Sequence, residues 1–273
     1  MKRNAMDESP SSSGSDQSPK KKISSSADAA ASATCLNADV LEEIFINVPL
    51  QEVLCVCRLV CCQWKEVVDS GSMWRERCRR EGYPICNVSE TQDWKLFYFL
   101  SKKRRNLLKN PNGKEELNGW NILKNGGDKW VASEIRKPHA DETIRTNFAT
   151  SYEMCTKSQL IDLKKEGYSP SLMDHVQPDI KISDWYLAHV DCQSMYNIWV
   201  QLLNQKKQPV EIFSREGIYC RGGREKWDQI THVFHKYGPG VRYIRFTHGG
   251  KDLKWWKGHY GIHITGSCVE ILP

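Results

Sequence analysis

Three groups of side chains in this sequence have types and spacings that could do chemistry. Cys55-x-Cys57-x3-Cys61-Cys62 gathers soft ligands in a short stretch. The run lacks a Cys-x2-Cys pair and a nearby His, and a helix would spread these sulfurs over several faces, so packing is the expected role. Cys220 with His232 or His235 could form a nucleophile and base. Nothing around Cys220 supplies a helix N-terminus or nucleophile elbow to activate a thiol, so the chain reads as non-enzymatic, with no cofactor and no metal. The third group is the run Gly249-Gly250-Lys251-Asp252-Leu253-Lys254-Trp255-Trp256-Lys257-Gly258. Adjacent residues on a strand point to opposite sides, so a sheet could bury only one of the two indoles and would leave the other wet. An exposed indole edged by lysines suits a pyranose, whose C–H face stacks on an aromatic ring while its hydroxyls meet charged groups.

The elements that must position this run can be read from periodicity. Val40, Leu41, Ile44 and Phe45 are spaced for one helical face, ended by Pro49, and a second helical stretch places Val53, Leu54, Val56, Leu59, Val60, Trp64 and Val67 on inward stripes up to Ser70-Gly71. A further short helix opens at Met73-Trp74. This unit is more apolar than a self-contained hairpin needs and asks for a partner. A helical stretch at Asp93–Leu100 then leads through basic Lys102–Arg105 to the turn Asn110-Pro111-Asn112-Gly113. Beyond it the period becomes two, as in Tyr196, Ile198, Val200, Leu202, in Arg242, Ile244, Phe246, and in Ile262, Ile264. Turns are expected at Arg221–Arg224, Tyr237–Gly240 and His248–Lys251, a spacing that predicts an antiparallel sandwich.

Composition limits the alternatives. The chain has 273 residues, 40% hydrophobic and 26% charged, with a net charge of +6. That excess is spread along it, +1 over residues 1–36, +1 over 37–105 and +4 over 106–273 (23 basic against 19 acidic), so a nucleic-acid partner is not expected. No apolar stretch is long enough for a membrane span and no secretory signal is present, which predicts a cytoplasmic protein. Its eleven cysteines are then expected to be reduced, and the sequon Asn87-Val88-Ser89 unused. Residues 1–34 read as a disordered Ser-rich tail, with Lys20–Lys22 a weak nuclear-signal match.

Two resemblances cover nearly everything beyond the tail. Leu36-x3-Val40-Leu41-x2-Ile44-Phe45-x2-Val48-Pro49, then Cys57-Arg58-Leu59-Val60-Cys61-x2-Trp64 and Met73-Trp74, resembles the F-box, with Asn37 where that family usually has Pro. The second rests on Phe148–Cys155, Gln159–Leu163, Glu166-Gly167-Tyr168, Asp184-Trp185-Tyr186, Tyr237–Arg242, Phe246-x-His248-Gly249-Gly250 and Trp256-Lys257-Gly258. These stretches resemble the F-box-associated domain of the sugar-recognising F-box proteins. The implied fold class is α+β multidomain: a small all-α F-box at 35–83, a linker at 84–118, and a galactose-binding-like antiparallel β-sandwich at 119–273. The resemblance implies a substrate-recognition subunit of an SCF-type ubiquitin ligase that binds the inner chitobiose of high-mannose N-glycans on misfolded glycoproteins, for ER-associated degradation. The alternative is the same adaptor with a protein or peptide cargo. Its partners would be a Skp-type adaptor, the cullin and high-mannose glycoproteins. Carried over residue by residue, the glycan site falls on Tyr152, Asp191, Trp255, Trp256 and Lys257, with Trp255 standing where those members usually have Tyr and Tyr152 where they have Phe. The adaptor face falls on Leu36, Val40, Leu41, Ile44, Val48, Pro49, Leu50 and Val53.

Overall fold

A computed structural model describes residues 36–85 and 93–273. The Ser-rich tail, Lys20–Lys22 and the sequon at Asn87 lie outside the described residues. The chain divides into two compact units between Val67 and Val68.

The first unit is helical: α1 (Ala38–Asn47), α2 (Leu50–Cys55), a 3-10 turn (Cys57–Leu59) and the start of α3 (Cys62–Asp69). Asn37, the departure from the F-box pattern, serves as the N-cap of α1, its side-chain oxygen accepting from the Asp39 N–H at 3.2 Å. Leu41, Phe45 and Val53 are buried, and Phe45 meets Trp64 edge-on at 5.0 Å. The inward stripe expected to run on through Val56, Leu59 and Val60 does not form, and all three are exposed. Helix α2 stops at Val56, whose φ of −121° and ψ of −66° leave the α region, and the 3-10 turn resets the angular phase before α3 begins.

The second unit opens with α4 (Gly71–Arg80) and α5 (Trp94–Lys103). Ser70-Gly71, expected to close a helix, starts one: the Ser70 hydroxyl accepts from the Met73 N–H at 3.4 Å. Trp74 is fully buried, donates from its indole N–H to the Val68 carbonyl at 2.7 Å, and packs against Tyr98 and Phe99 of α5. Spacing alone groups α4 with the first helices, but this aromatic contact joins it to α5. Residues after α5 do not act as a free spacer. The Leu107 N–H donates to the Val269 carbonyl, the Asn106 amide bridges the Val269 N–H and the Ser267 carbonyl, and Leu107 and Leu108 enter the sandwich core.

The sandwich comprises β1 (Asn121–Asn125), β2 (Val131–Glu134), β3 (Thr146–Ala149), β4 (Cys155–Asp162), β5 (Ile180–Ala188), β6 (Ser194–Leu203), β7 (Pro209–Cys220), β8 (Asp228–Phe234), β9 (Tyr243–Asp252) and β10 (Ile262–Ile271). One sheet has the order β1-β4-β9-β6-β7 and the other β2-β3-β10-β5-β8, all pairs antiparallel. Tyr196, Ile198, Val200, Leu202, Ile244, Phe246, Ile262 and Ile264 all point inward, as their alternation predicts. His248-Gly249-Gly250-Lys251 is not a turn but the interior of β9. A Cβ on Gly249 would lie 2.0 Å from the Cys155 carbonyl oxygen, and one on Gly250 1.9 Å from that of Met195, so the glycines let the flanking strands β4 and β6 close on β9.

Inside the second unit lies a polar cluster that strand periodicity gives no reason to expect. The Asp184 carboxylate accepts from the Tyr196 hydroxyl (2.5 Å), His248 Nδ1 (2.6 Å) and the Ser267 hydroxyl (2.7 Å), and is itself fully buried. Lys157 on β4 is also fully buried, with its Nζ among the rings of Phe148, Trp120 and Trp130, 3.9 Å from the Trp120 centroid, and without a hydrogen-bond partner among the described residues. Burial holds this ammonium far below its ordinary pKa, with the Asp184 charge opposing the shift.

Candidate functional site

The loops at one end of the sandwich are bound to one another. Strand β9 ends at Asp252, which is fully buried and whose Oδ1 accepts from the backbone N–H groups of Lys254 (2.9 Å) and Trp255 (2.6 Å). This Asx turn swings the chain out of the sheet, and Trp255 takes a left-handed φ of 58°. The expectation that one of the two indoles is buried therefore fails, because the pair lies past the strand end: Trp255 is 62% exposed and Trp256 41%.

Each ring carries a cation over one face: Lys251 Nζ lies 4.8 Å from the centroid of Trp255 and Lys254 Nζ 4.4 Å from that of Trp256, leaving the opposite faces as the aromatic surface. Lys254 Nζ also donates to the Asp191 carbonyl oxygen at 3.1 Å, fastening the Trp loop to the β5–β6 turn. Tyr260 meets Trp256 edge-on at 5.6 Å, and its other neighbour is the His189 ring at 4.8 Å. The Ser151 hydroxyl accepts from the Asp128 N–H (2.9 Å) and donates to the Gly258 carbonyl (2.8 Å), while the Gly258 N–H donates to the Asp128 carboxylate at 2.5 Å. Four connections, those between β1 and β2, β3 and β4, β5 and β6, and β9 and β10, are thus held together.

Each residue expected in the glycan site sits on these connections. Tyr152 is partly exposed beside Gly127, where an added Cβ would come within 3.0 Å of its ring. Asp191 is exposed, its carboxylate 3.8 Å from His189 Nδ1, and Lys257 is exposed next to Trp256 in the chain. Sequence reasoning missed Asp128, Ser151, Lys254 and Tyr260, which hold the loops together. Only the Asp252-x-Lys254-Trp255 spacing, compatible with an Asx turn, carried a local signal.

The chemistry weighed for the other two groups is not assembled. Cys55, Cys61 and Cys62 are exposed and Cys57 is buried, and among the described residues no three metal-binding side chains are gathered. Burial pushes the Cys220 thiol up to about 12, its sulfur faces the Ile218 carbonyl, His232 stacks on Phe213 at 4.2 Å, and His235 pairs with Asp179 at 2.8 Å.

On the helical unit, Val40 and Ile44 are exposed one turn apart on α1, and Leu36, just before the helix, is exposed as well, all three between 44% and 46% accessible. Val48 and Leu50 are half-buried and Pro49 is exposed. Leu41 and Val53, assigned to the same face, are fully buried and belong to the core. Val56, Leu59 and Val60 add apolar surface that the sequence assigned inward, with Leu59 at 74% the most exposed. The Gln63 side chain donates to the Leu36 carbonyl at 2.7 Å, bringing the start of α3 against the start of α1.

Comparison with known proteins places these features in a family. The F-box domain matches residues 34–76, and the F-box associated region matches residues 98–271. F-box only protein 6 of Bos taurus is 41% identical over 242 residues, covering 86% of this chain and 91% of that protein. F-box only protein 44 of Homo sapiens is 40% identical over 244 residues, covering 87% and 96%. Among solved structures, a carbohydrate-binding module in complex with β-1,4-galactotriose has a TM-score of 0.39 at 16% identity, covering 60% of this chain and 97% of the module, too distant to bear on the ligand. By the length of the match and the closeness of these relatives, the chain belongs to the F-box proteins that carry an F-box associated region.

Proposed function

We propose that this chain is the substrate-recognition subunit of an SCF-type ubiquitin ligase, and that its tryptophan loop binds the inner chitobiose of high-mannose N-glycans on misfolded glycoproteins, marking them for ER-associated degradation. The observation that carries the reading is the pair of solvent-facing indoles, Trp255 and Trp256, each with a lysine, Lys251 or Lys254, over one face, on a loop fixed by Asp252. An apolar surface of this kind in water is costly unless something flat covers it. Trp256 stacks on the sugar face, Trp255 and Tyr152 wall the pocket, and Asp191 and Lys257 bind hydroxyl and N-acetyl groups. Covering roughly 150 Å² of apolar surface contributes about 4 kcal/mol. Hydrogen bonds add about 1 kcal/mol each before the cost of association, which supports micromolar affinity. A folded glycoprotein crowds its innermost sugars, so access selects the unfolded form.

On the helical unit, Leu36, Val40, Ile44, Val56, Leu59 and Val60 supply an apolar surface for the Skp-type adaptor, through which the cullin is reached. The chain carries the cargo to the ligase and performs no chemistry itself. The test is retention of the full chain on a chitobiose resin and its release by free chitobiose. Failure to be retained, with cargo ubiquitination persisting after the cargo is deglycosylated, would replace the sugar with a protein surface as the ligand.

A further inference from the structure

Beside His189 the second sheet holds a cavity of about 160 Å³, lined among others by Arg136, Asn147, Leu187, His189, Trp227 and His263. This volume is close to that of engineered cavities that admit a benzene-sized molecule. Leu187, Ala188, Val190 and Trp227 provide apolar wall, and every charged side chain that lines the cavity is cationic. Lys137 is matched by Glu225 at 2.5 Å and Arg224 by Asp228 at 2.6 Å. Arg136 has no carboxylate partner among the described residues, and its guanidinium contacts Nε2 of His189.

The hydrogen-bond network fixes the tautomer of a second ring lining the cavity. The Asn147 amide donates to the carbonyls of Glu134 (3.1 Å) and Ser133 (3.4 Å), which leaves its oxygen to accept from His263 Nδ1 at 2.9 Å. His263 is only 7% exposed and lines the cavity. With the proton on Nδ1, its Nε2 is a bare acceptor without a hydrogen-bond partner among the described residues. Burial, with Arg136 contributing, lowers the pKa of both His189 and His263, so the rings add no charge to that of Arg136, the lining cation without a carboxylate partner among the described residues. The cavity thus offers a cationic donor, a neutral acceptor and an apolar wall.

We propose that this cavity is a binding site for a small 2-hydroxycarboxylate: the carboxylate accepts from Arg136, the hydroxyl donates to His263 Nε2, and a short alkyl group lies against Leu187, Ala188 and Trp227. A plain carboxylate would place its lone pairs against that of His263, and a diol would leave Arg136 without an anion. His189 links the cavity to the tryptophan loop through Tyr260, but no residue assigned to the glycan site lines the cavity, so separate substitutions distinguish the two readings.

The test is an NMR titration of the full chain, tracking the imidazole signals of His189 and His263, with 2-hydroxybutyrate, butyrate, 1,2-butanediol and inorganic phosphate as probes. Saturable shifts at both rings with 2-hydroxybutyrate are expected, with binding about tenfold weaker for butyrate and weaker still for the diol and phosphate. Arg136 is exposed, so Arg136→Gln should fold, keep the remaining spectrum and lose the binding. Trp256→Ala should leave it unchanged. Absence of shifts at the two rings, equal binding of butyrate, diol or phosphate, or binding retained in Arg136→Gln would overturn the proposal.

Discussion

Replacing Trp256 with Ala removes the ring assigned to the sugar face and little else. Its indole is 41% exposed and touches the loop edge-on through Tyr260, so the fold does not depend on it. A Trp offers up to about 250 Å² of surface, of which roughly 100 Å² is then free to be covered by a ligand. At about 25 cal/mol per Å² the loss is roughly 2.5 kcal/mol, or about 60-fold in Kd. Chitobiose affinity measured by calorimetry on the full chain should fall by that factor, while far-UV circular dichroism and thermal midpoint stay within error. Trp256→Phe should recover part of the binding, because a smaller ring still presents a face. A change in Kd below threefold in the Ala variant would refute the stacking role, since no other contact of this side chain is large enough to mask the loss.

The same geometry sets three further outcomes. Leu59→Asp places a charge on the most exposed apolar side chain of the helical unit and should weaken capture of the Skp-type adaptor by about 2 kcal/mol, roughly 30-fold, in surface plasmon resonance; unchanged capture would move the docking face elsewhere. His263 is pushed down to about 3 by burial. Below pH 6.5 the unfolded chain therefore takes a proton that the folded chain refuses, and stability falls by up to about 1.4 kcal/mol per pH unit as pH drops toward 3. Urea unfolding of His263→Gln should show a shallower loss between pH 6.5 and 4 than the parent, and parallel curves would contradict the assignment. Lys157→Met removes a buried amino group that makes no hydrogen bond among the described residues, while Asp184 keeps three donors. Its unfolding free energy should rise by about 1–3 kcal/mol, and a fall of more than about 1 kcal/mol would identify Lys157 as a counter-ion that Asp184 requires.

The parts of this molecule that were legible in the sequence are those governed by local repetition. Alternation identified β6, β9 and β10, and the turns at Arg221–Arg224 and Tyr237–Gly240 lie between strands as expected. Errors arose where tertiary contact overrides a local rule. Gly249 and Gly250 carry the composition of a turn, yet they are selected by carbonyls of neighbouring strands that the sequence does not place beside them. Val56, Leu59 and Val60 continue a helical stripe only if the helix continues, and it breaks at Val56. The sheet argument reaches the exposure of Trp256 only by accident, for both indoles leave the strand at Asp252. The bonds that tie Gly258 to Asp128 and Ser151 span more than 100 residues, and the cage around Lys157 draws on β3, β4 and two loop tryptophans, so neither leaves a periodic trace.

The most direct measurement is a glycan array probed with the full chain. Signal should concentrate on high-mannose structures that keep both inner N-acetylglucosamine residues and should vanish when the innermost one is trimmed away. Equal signal on trimmed glycans, or none on any high-mannose structure, would contradict the central claim that this loop reads the base of an N-glycan.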